Sequence, residues 1–307
     1  MLTVSNYHYV RENFATPYTS IFGVTPDDFR NQLLLLKNQG DFVEPCYLIE
    51  NSKEVLESKD NHFLITFDDG LKEQFDCALP ILDELGIPAL FFINSINHIE
   101  KKVSLAHQIH LVRSVLSSDE LFENLVKDSN RKLSQIEIQK AHQFYRFDNP
   151  KSAELKYFLN VLLDFASQEK FINSIFTEYF NESEVLESLY MNTNEIQQLI
   201  KRGYIGSHTH THLPLGMYDE QTILFELEMT KKYLENLGSD AIDCVAYPYG
   251  TKEAATEEVG KLAKQVGYKL GFTTKPEVNN SSDTLLLLNR FDCNDLVGGK
   301  NYIEKGS

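Results

Sequence analysis

The sequence offers no disulfide framework. Its four cysteines, Cys46, Cys77, Cys244 and Cys293, are scattered without a Cys-x-x-Cys pair. They are expected to be reduced, mostly buried thiols of a cytoplasmic protein. Met1-Leu2-Thr3-Val4-Ser5-Asn6 lacks the basic and apolar regions of an export signal, and no apolar run reaches bilayer length, so no transmembrane segment is expected. Basic charge is scarce. Against 45 Asp and Glu stand 29 Lys and Arg, a net charge of -16, which argues against nucleic acid and anionic membrane as partners but leaves room for a locally basic pocket. No glycine-rich loop has the spacing that cradles phosphate. Between Ile99 and Leu189 there is no glycine and one proline, Pro150.

Hydrophobic residues make up 42% of 307 positions, enough for a folded chain with a substantial core. Its organising stretch is Phe63-Leu64-Ile65-Thr66-Phe67-Asp68-Asp69-Gly70, an apolar strand that stops on two carboxylates. Alternation along a strand sends Asp68 and Asp69 to opposite faces. Burying either unpaired is costly, so a cation, metal or arginine, is expected nearby. A plain Asp-Gly turn is the other reading.

Around this stretch strands and helices alternate. Leu2 to Val10 reads as a first strand carrying His8 near its end. Thr25-Pro26-Asp27-Asp28 opens a helix with Phe29, Leu33, Leu36 and also Leu34 inward. A short helix, with Pro80 near its start, leads to Gly86-Ile87-Pro88 and the strand Ala89 to Ile93. After the glycine-free segment, Thr193 or Asn194 caps a helix and Tyr204 to Ser207 is a strand. Asp219 caps a helix with Ile223, Leu227, Leu234 and Leu237 inward. Strands follow at 242–246, 268–273 and 285–292. The repeat predicts an α/β barrel with its site at the carboxyl ends of the strands. The segment 99–190 reads as roughly four to six helices, with one apolar stripe through Leu155, Phe158, Leu159 and Leu162 and a poorer one through Ile136, Ile138 and Phe144. It is an insertion that either caps a pocket or serves packing and homo-oligomerisation.

His208 and His212 are four apart, a spacing that in a helical turn brings two imidazoles to one side. Two imidazoles and a carboxylate make a common catalytic metal set with open positions. His210 falls between them and points elsewhere, toward a supporting or substrate contact.

Thr66-Phe67-Asp68-Asp69-Gly70, His208-Thr209-x-x-His212 and Tyr247-Pro248-Tyr249-Gly250 resemble, in order and strand context, the first three motifs of the NodB-like polysaccharide deacetylases, carbohydrate esterase family four. The resemblance implies a deformed (β/α) barrel of the NodB type with a mainly helical insertion, one domain over 1–307. It implies a divalent metal, most often zinc, on Asp69, His208 and His212. Asp68 would be the general base, the backbone N–H of Tyr249 would face the oxyanion, and Tyr247 and Pro248 would complete that substrate-binding motif. The substrate implied is an acetylated amino sugar, and with a cytoplasmic location a glycan precursor is expected.

Two departures stand out. Many relatives carry an arginine two residues before the proline of the third motif; here that place is Ala246. Arg290 either supplies the missing cation or pairs with Asp292. The late Leu-x-His motif is not evident, and no histidine follows His212. His8, similar to the early Tyr-His of poly-N-acetylglucosamine deacetylases, is then a general acid or amide contact, or an ordinary strand-end histidine. The alternatives to N-deacetylation are hydrolysis of an O-acetyl ester or non-sugar amide, and an inactive carbohydrate-binding relative.

Overall fold

The computed structural model describes residues 1–146 and 148–303; position 147 of the expected insertion and 304–307 of the expected single domain lie outside them. The chain divides into two compact units. The first comprises Met1–Glu12, Gly23–Lys102 and the chain from Leu186 onward; the second comprises Asn13–Phe22 and Val103–Val185.

Among the described residues ten strands occur in chain order: β1 (Leu2–Tyr7), β2 (Tyr9–Val10), β3 (Gly23–Val24), β4 (Asp41–Phe42), β5 (His62–Phe67), β6 (Ala89–Ile93), β7 (Ile205–Ser207), β8 (Cys244–Ala246), β9 (Leu270–Phe272) and β10 (Phe291–Asp292). Eight form a curled parallel sheet of order β10-β1-β5-β6-β7-β8-β9, with β4 also paired to β5, while β2 pairs with β3 separately. Leu288 bridges to Phe272, so the segment entering β10 runs beside β9. This is the half-barrel of the expected NodB type, with helices around it.

Period-two alternation sorts the strand residues. Leu2, Val4, Leu64, Leu90, Phe92, Cys244, Ala246, Leu270, Phe272 and Leu288 share one buried cluster. The row Leu64, Thr66 continues to Asp68, and the row holding Leu288 continues to Arg290, so this apolar column ends on charge. On the opposite face Phe67 stacks on Phe91 at 4.7 Å and meets the edge of Phe29 at 5.7 Å. Phe29 comes from the helix Pro26–Lys37, which Thr25 caps by accepting from Asp28 N–H. Phe29, Leu33 and Leu36 are buried, but Leu34 is exposed; it sits one residue past Leu33, off the inward stripe. Each fully buried Phe or Leu contributes about 1.5–3 kcal/mol.

Several local expectations change. Asn192, not Thr193 or Asn194, caps the helix Thr193–Arg202, in a reciprocal box with Glu195. Leu237 of the next stripe is only half-buried. The stretch 285–292 is not one strand: Leu285–Leu287 is a 3-10 turn, Leu288 makes a single bridge to Phe272, and Phe291–Asp292 alone forms a strand. Cys244 and Cys293 are buried, but Cys46 is exposed and Cys77 half-buried; all four are free.

In the second unit the helices Leu105–Val115, Ser118–Ser129, Gln135–Phe144, Pro150–Tyr157 and Phe165–Tyr179 follow one another, and Glu182–Leu189 leads back to the first. Ser117 with Glu120, and Ser134 with Glu137, form capping boxes. Leu155, Phe158 and Leu159 are buried, and Leu162 is half-buried. The poorer stripe fails: Ile136 and Phe144 are exposed and Ala141 is the buried residue of that helix. Among the described residues no helix is long and apolar enough to cross a membrane.

Candidate active site

The β1–β5 ladder extends one residue past β5, where Asp68 N–H donates to Tyr7 O at 3.0 Å. Asp68 is 2% exposed and lies along the inner row. Arg290 meets it with two parallel bonds, Nη1 to Oδ1 at 2.7 Å and Nη2 to Oδ2 at 2.8 Å. The guanidinium is itself buried; its Nε donates to Thr273 O at 2.9 Å and its Nη1 reaches Thr66 Oγ1 at 3.2 Å. Burial alone would raise the carboxyl's pKa. The Arg290 charge, the nearby His208, the Arg290 bonds and His8 outweigh it, and Asp68 lies below the usual carboxylate value. Of the two readings of Arg290, the geometry gives the cation beside the first motif.

Alternation does not continue past the strand. Asp69 adopts φ 77° and Gly70 φ 64°, a left-handed turn that brings the second carboxylate round to the same site as the first. A Cβ on Gly70 would stand 2.8 Å from Ile93 Cδ1, so glycine also fits the space. Asp69 Oδ1 lies 3.5 Å from His208 Nε2 and 3.4 Å from His212 Nε2.

The two imidazoles do not sit on a helical turn. The stretch after β7 is irregular, with Thr209 at φ 62° and His212 at φ 64°. These turns set the ring centroids 5.0 Å apart. His208 Nδ1 is 2.8 Å from the carbonyl of Ala246, which only accepts, so Nδ1 carries the proton and Nε2 keeps its lone pair. Burial is the largest cause of a His208 pKa pushed down to about 4, with His212 and Arg290 adding to it and Asp68 and Asp69 opposing. The ring is neutral at physiological pH.

Asp69, His208 and His212 place one ligand atom each within 4.8 Å of one another. A tetrahedral ion with bonds of about 2.0–2.1 Å keeps its ligand atoms roughly 3.3–3.4 Å apart, close to the spacing around Asp69. The donor set therefore fits a divalent cation. His210 is turned away, with Nδ1 2.8 Å from Ser95 Oγ and Nε2 3.0 Å from Glu100 Oε1.

His8 reaches the same place. Its Nε2 is 4.0 Å from an oxygen of Asp68 and 4.0 Å from one of Asp69, and the side chain is partly exposed. Tyr249 (φ 62°) and Gly250 (φ 56°) turn the third motif. The exposed Tyr249 ring lies 5.2 Å from that of His212. Pro248 is buried. Tyr247 is not brought to the site surface: it is 1% exposed and its hydroxyl donates to Leu286 O at 2.8 Å. That side chain packs inward and anchors the end of β8.

Two buried amides complete the frame without any sequence signal. Gln74 Nε2 donates to Asp68 O at 2.6 Å and His8 O at 2.9 Å. Asn94 Nδ2 donates to His208 O and, at 3.2 Å, to Thr209 O. Neither lies in a motif, and amides of this kind do not stand out from ordinary polar residues.

A curled parallel sheet that gathers two carboxylates, two imidazoles and an arginine at its strand ends is the arrangement of a NodB-type barrel. The polysaccharide deacetylase family profile matches residues 56–133 and 170–271, more than half of the chain, and the chain belongs to that family. YxkH of Bacillus subtilis (strain 168), named for the same family, is 28% identical over 114 residues, 37% of this chain and 40% of the relative. The chain thus spans well under half the length of that curated relative. The Streptococcus pyogenes deacetylase PplD, solved in complex with acetate, has a similar fold: TM-score 0.59 at 17% identity, over 95% of this chain and 91% of that one. A de-N-acetylase from Aggregatibacter actinomycetemcomitans is similar at TM-score 0.54 and 15% identity, over 95% of each chain.

Proposed function

We propose that the chain is a metal-dependent hydrolase that removes an N-acetyl group from an amino sugar in a glycan or glycan precursor. One observation carries this reading: Asp69, His208 and His212 converge beside Asp68, which Arg290 holds in its charged form. Family membership supports the deacetylation, and the similarity to proteins named for acetate and for de-N-acetylation supports the amide.

Asp69, His208 and His212 would hold the cation, zinc being the usual one in the family. A divalent ion there supplies Lewis acidity, which makes water a nucleophile at neutral pH and polarises an acetyl carbonyl. Asp68 takes the proton of the attacking water, and the two Arg290 bonds fix the plane of its carboxylate. The Tyr249 N–H faces the oxygen on which negative charge develops. His8, reaching both carboxylates, delivers a proton to the departing nitrogen. The water oxygen bonds to the acetyl carbon, the C–N bond breaks, and acetate and a free amine leave.

The test is acetate release from an N-acetylglucosamine oligomer by the zinc-loaded chain, with free amine and free hydroxyl counted separately. Amine equal to acetate supports the reading. Hydroxyl from an O-acetylated sugar with no amine replaces it by ester hydrolysis. No release from either by a metal-loaded chain replaces it by carbohydrate binding without turnover.

A further inference from the structure

The loop bearing both imidazoles holds two non-glycine residues in left-handed backbone, Thr209 and His212, a conformation that persists only where surroundings impose it. Three sets of polar contacts do so. Asn94 ties the carbonyls of His208 and Thr209. Buried Glu226, on the helix Glu220–Asn236, accepts from Thr211 N–H at 2.7 Å and from its hydroxyl. Between them stands His210, 1% exposed.

His210 is bonded at both ring nitrogens. Glu100 is a carboxylate and only accepts, so His210 Nε2 carries the proton and Nδ1 receives that of Ser95. Ser95 Oγ also lies 2.7 Å from Thr230 Oγ1. His208, two residues earlier, is held in the opposite tautomer by Ala246 O. A ring placed only to fill space would need no such pair of partners, one giving and one taking a proton.

We infer that His210, locked by Ser95 and Glu100, is a positioning residue that sets the 208–212 loop so that Nε2 of His208 and of His212 both face Asp69. The inference rests on the metal reading of the site. It makes the segment 94–100 the support of the cation site, since Asn94, Ser95 and Glu100 all come from the stretch after β6, where Ser95 and Glu100 flank the short helix Ile96–Ile99. Partners of this kind typically change metal affinity about 10–100-fold when removed.

Zinc affinity of the full chain, measured by chelator competition at a temperature where each variant is folded by circular dichroism, tests it. Asp69→Ala serves as the control that abolishes binding. His210→Ala is expected to weaken zinc about 10–100-fold. Glu100→Ala, at an exposed position, weakens it less, and Glu100→Gln, which keeps an acceptor oxygen for Nε2–H, restores it. A role in stability alone would lower the melting temperature and leave the affinity of the folded chain unmoved. Folded His210→Ala or Glu100→Ala with native affinity overturns the inference while Asp69→Ala still fails to bind. Native chain that binds no zinc, or Asp69→Ala that binds normally, overturns the metal reading and this inference with it.

Discussion

Arg290 and Asp68, 222 residues apart in sequence, meet inside the barrel through two parallel N–H···O bonds of 2.7 and 2.8 Å. Both side chains are almost wholly buried. Removing one partner of such a pair leaves the other charge uncompensated, which costs about 3–5 kcal/mol. Arg290→Met is expected to lose about that much in urea denaturation, and activity with it. Arg290→Lys keeps the charge but not the fork, and falls between. A loss under about 1 kcal/mol for Arg290→Met would show that the pair is not the link described here.

Asp68→Asn keeps the shape and removes the proposed base. Turnover is expected to fall about 10²–10⁴-fold, with bound zinc unchanged by elemental analysis. Equal loss of metal and turnover would move Asp68 from proton transfer to metal binding.

His8→Ala removes the imidazole that stands 4.0 Å from both carboxylates. If it delivers the proton to the leaving nitrogen, turnover on an amide drops about 10²-fold or more while metal content holds. Normal amide turnover in this variant would return His8 to the role of a strand-end residue.

Tyr247→Phe deletes the hydroxyl bonded to Leu286 O. The expected outcome is a stability loss of about 0.5–1.5 kcal/mol with KM for a glycan oligomer unchanged. A raised KM would put the phenol back in contact with substrate.

Gly206→Ala tests the packing beneath the site. An added Cβ would stand 2.5 Å from Phe92 Cε1 and 2.6 Å from Phe92 Cδ1, against a ring that is fully buried. Overpacking of this kind costs about 1–3 kcal/mol, readable in thermal unfolding. An unchanged midpoint would mean that Phe92 has room to move.

Much of this was legible in the chain. The apolar runs ending on Asp68, Ser207 and Ala246 predicted strands that deliver chemistry to one edge, and Thr25, Asp219 and Gly86 marked helix ends. What escaped was set by backbone rotation and long-range packing. Strict alternation separated Asp68 from Asp69, because nothing in Asp-Asp-Gly announces φ 77° at the second residue. A spacing of four suggested a helical turn for His208 and His212, whereas an irregular loop with two left-handed residues joins them. Gln74, Asn94 and Glu226 were invisible, since a buried amide or acid that ties a loop down follows no periodicity.

The origin of the guanidinium has a practical consequence. The family profile covers 56–133 and 170–271, yet His8 comes before that span and Arg290 after it. An expression fragment trimmed to those limits would retain all three recognisable motifs together with Asp69, His208 and His212. It would also lose the first strand and the counter-ion of Asp68, and an assay on such a fragment would report no activity for reasons of truncation.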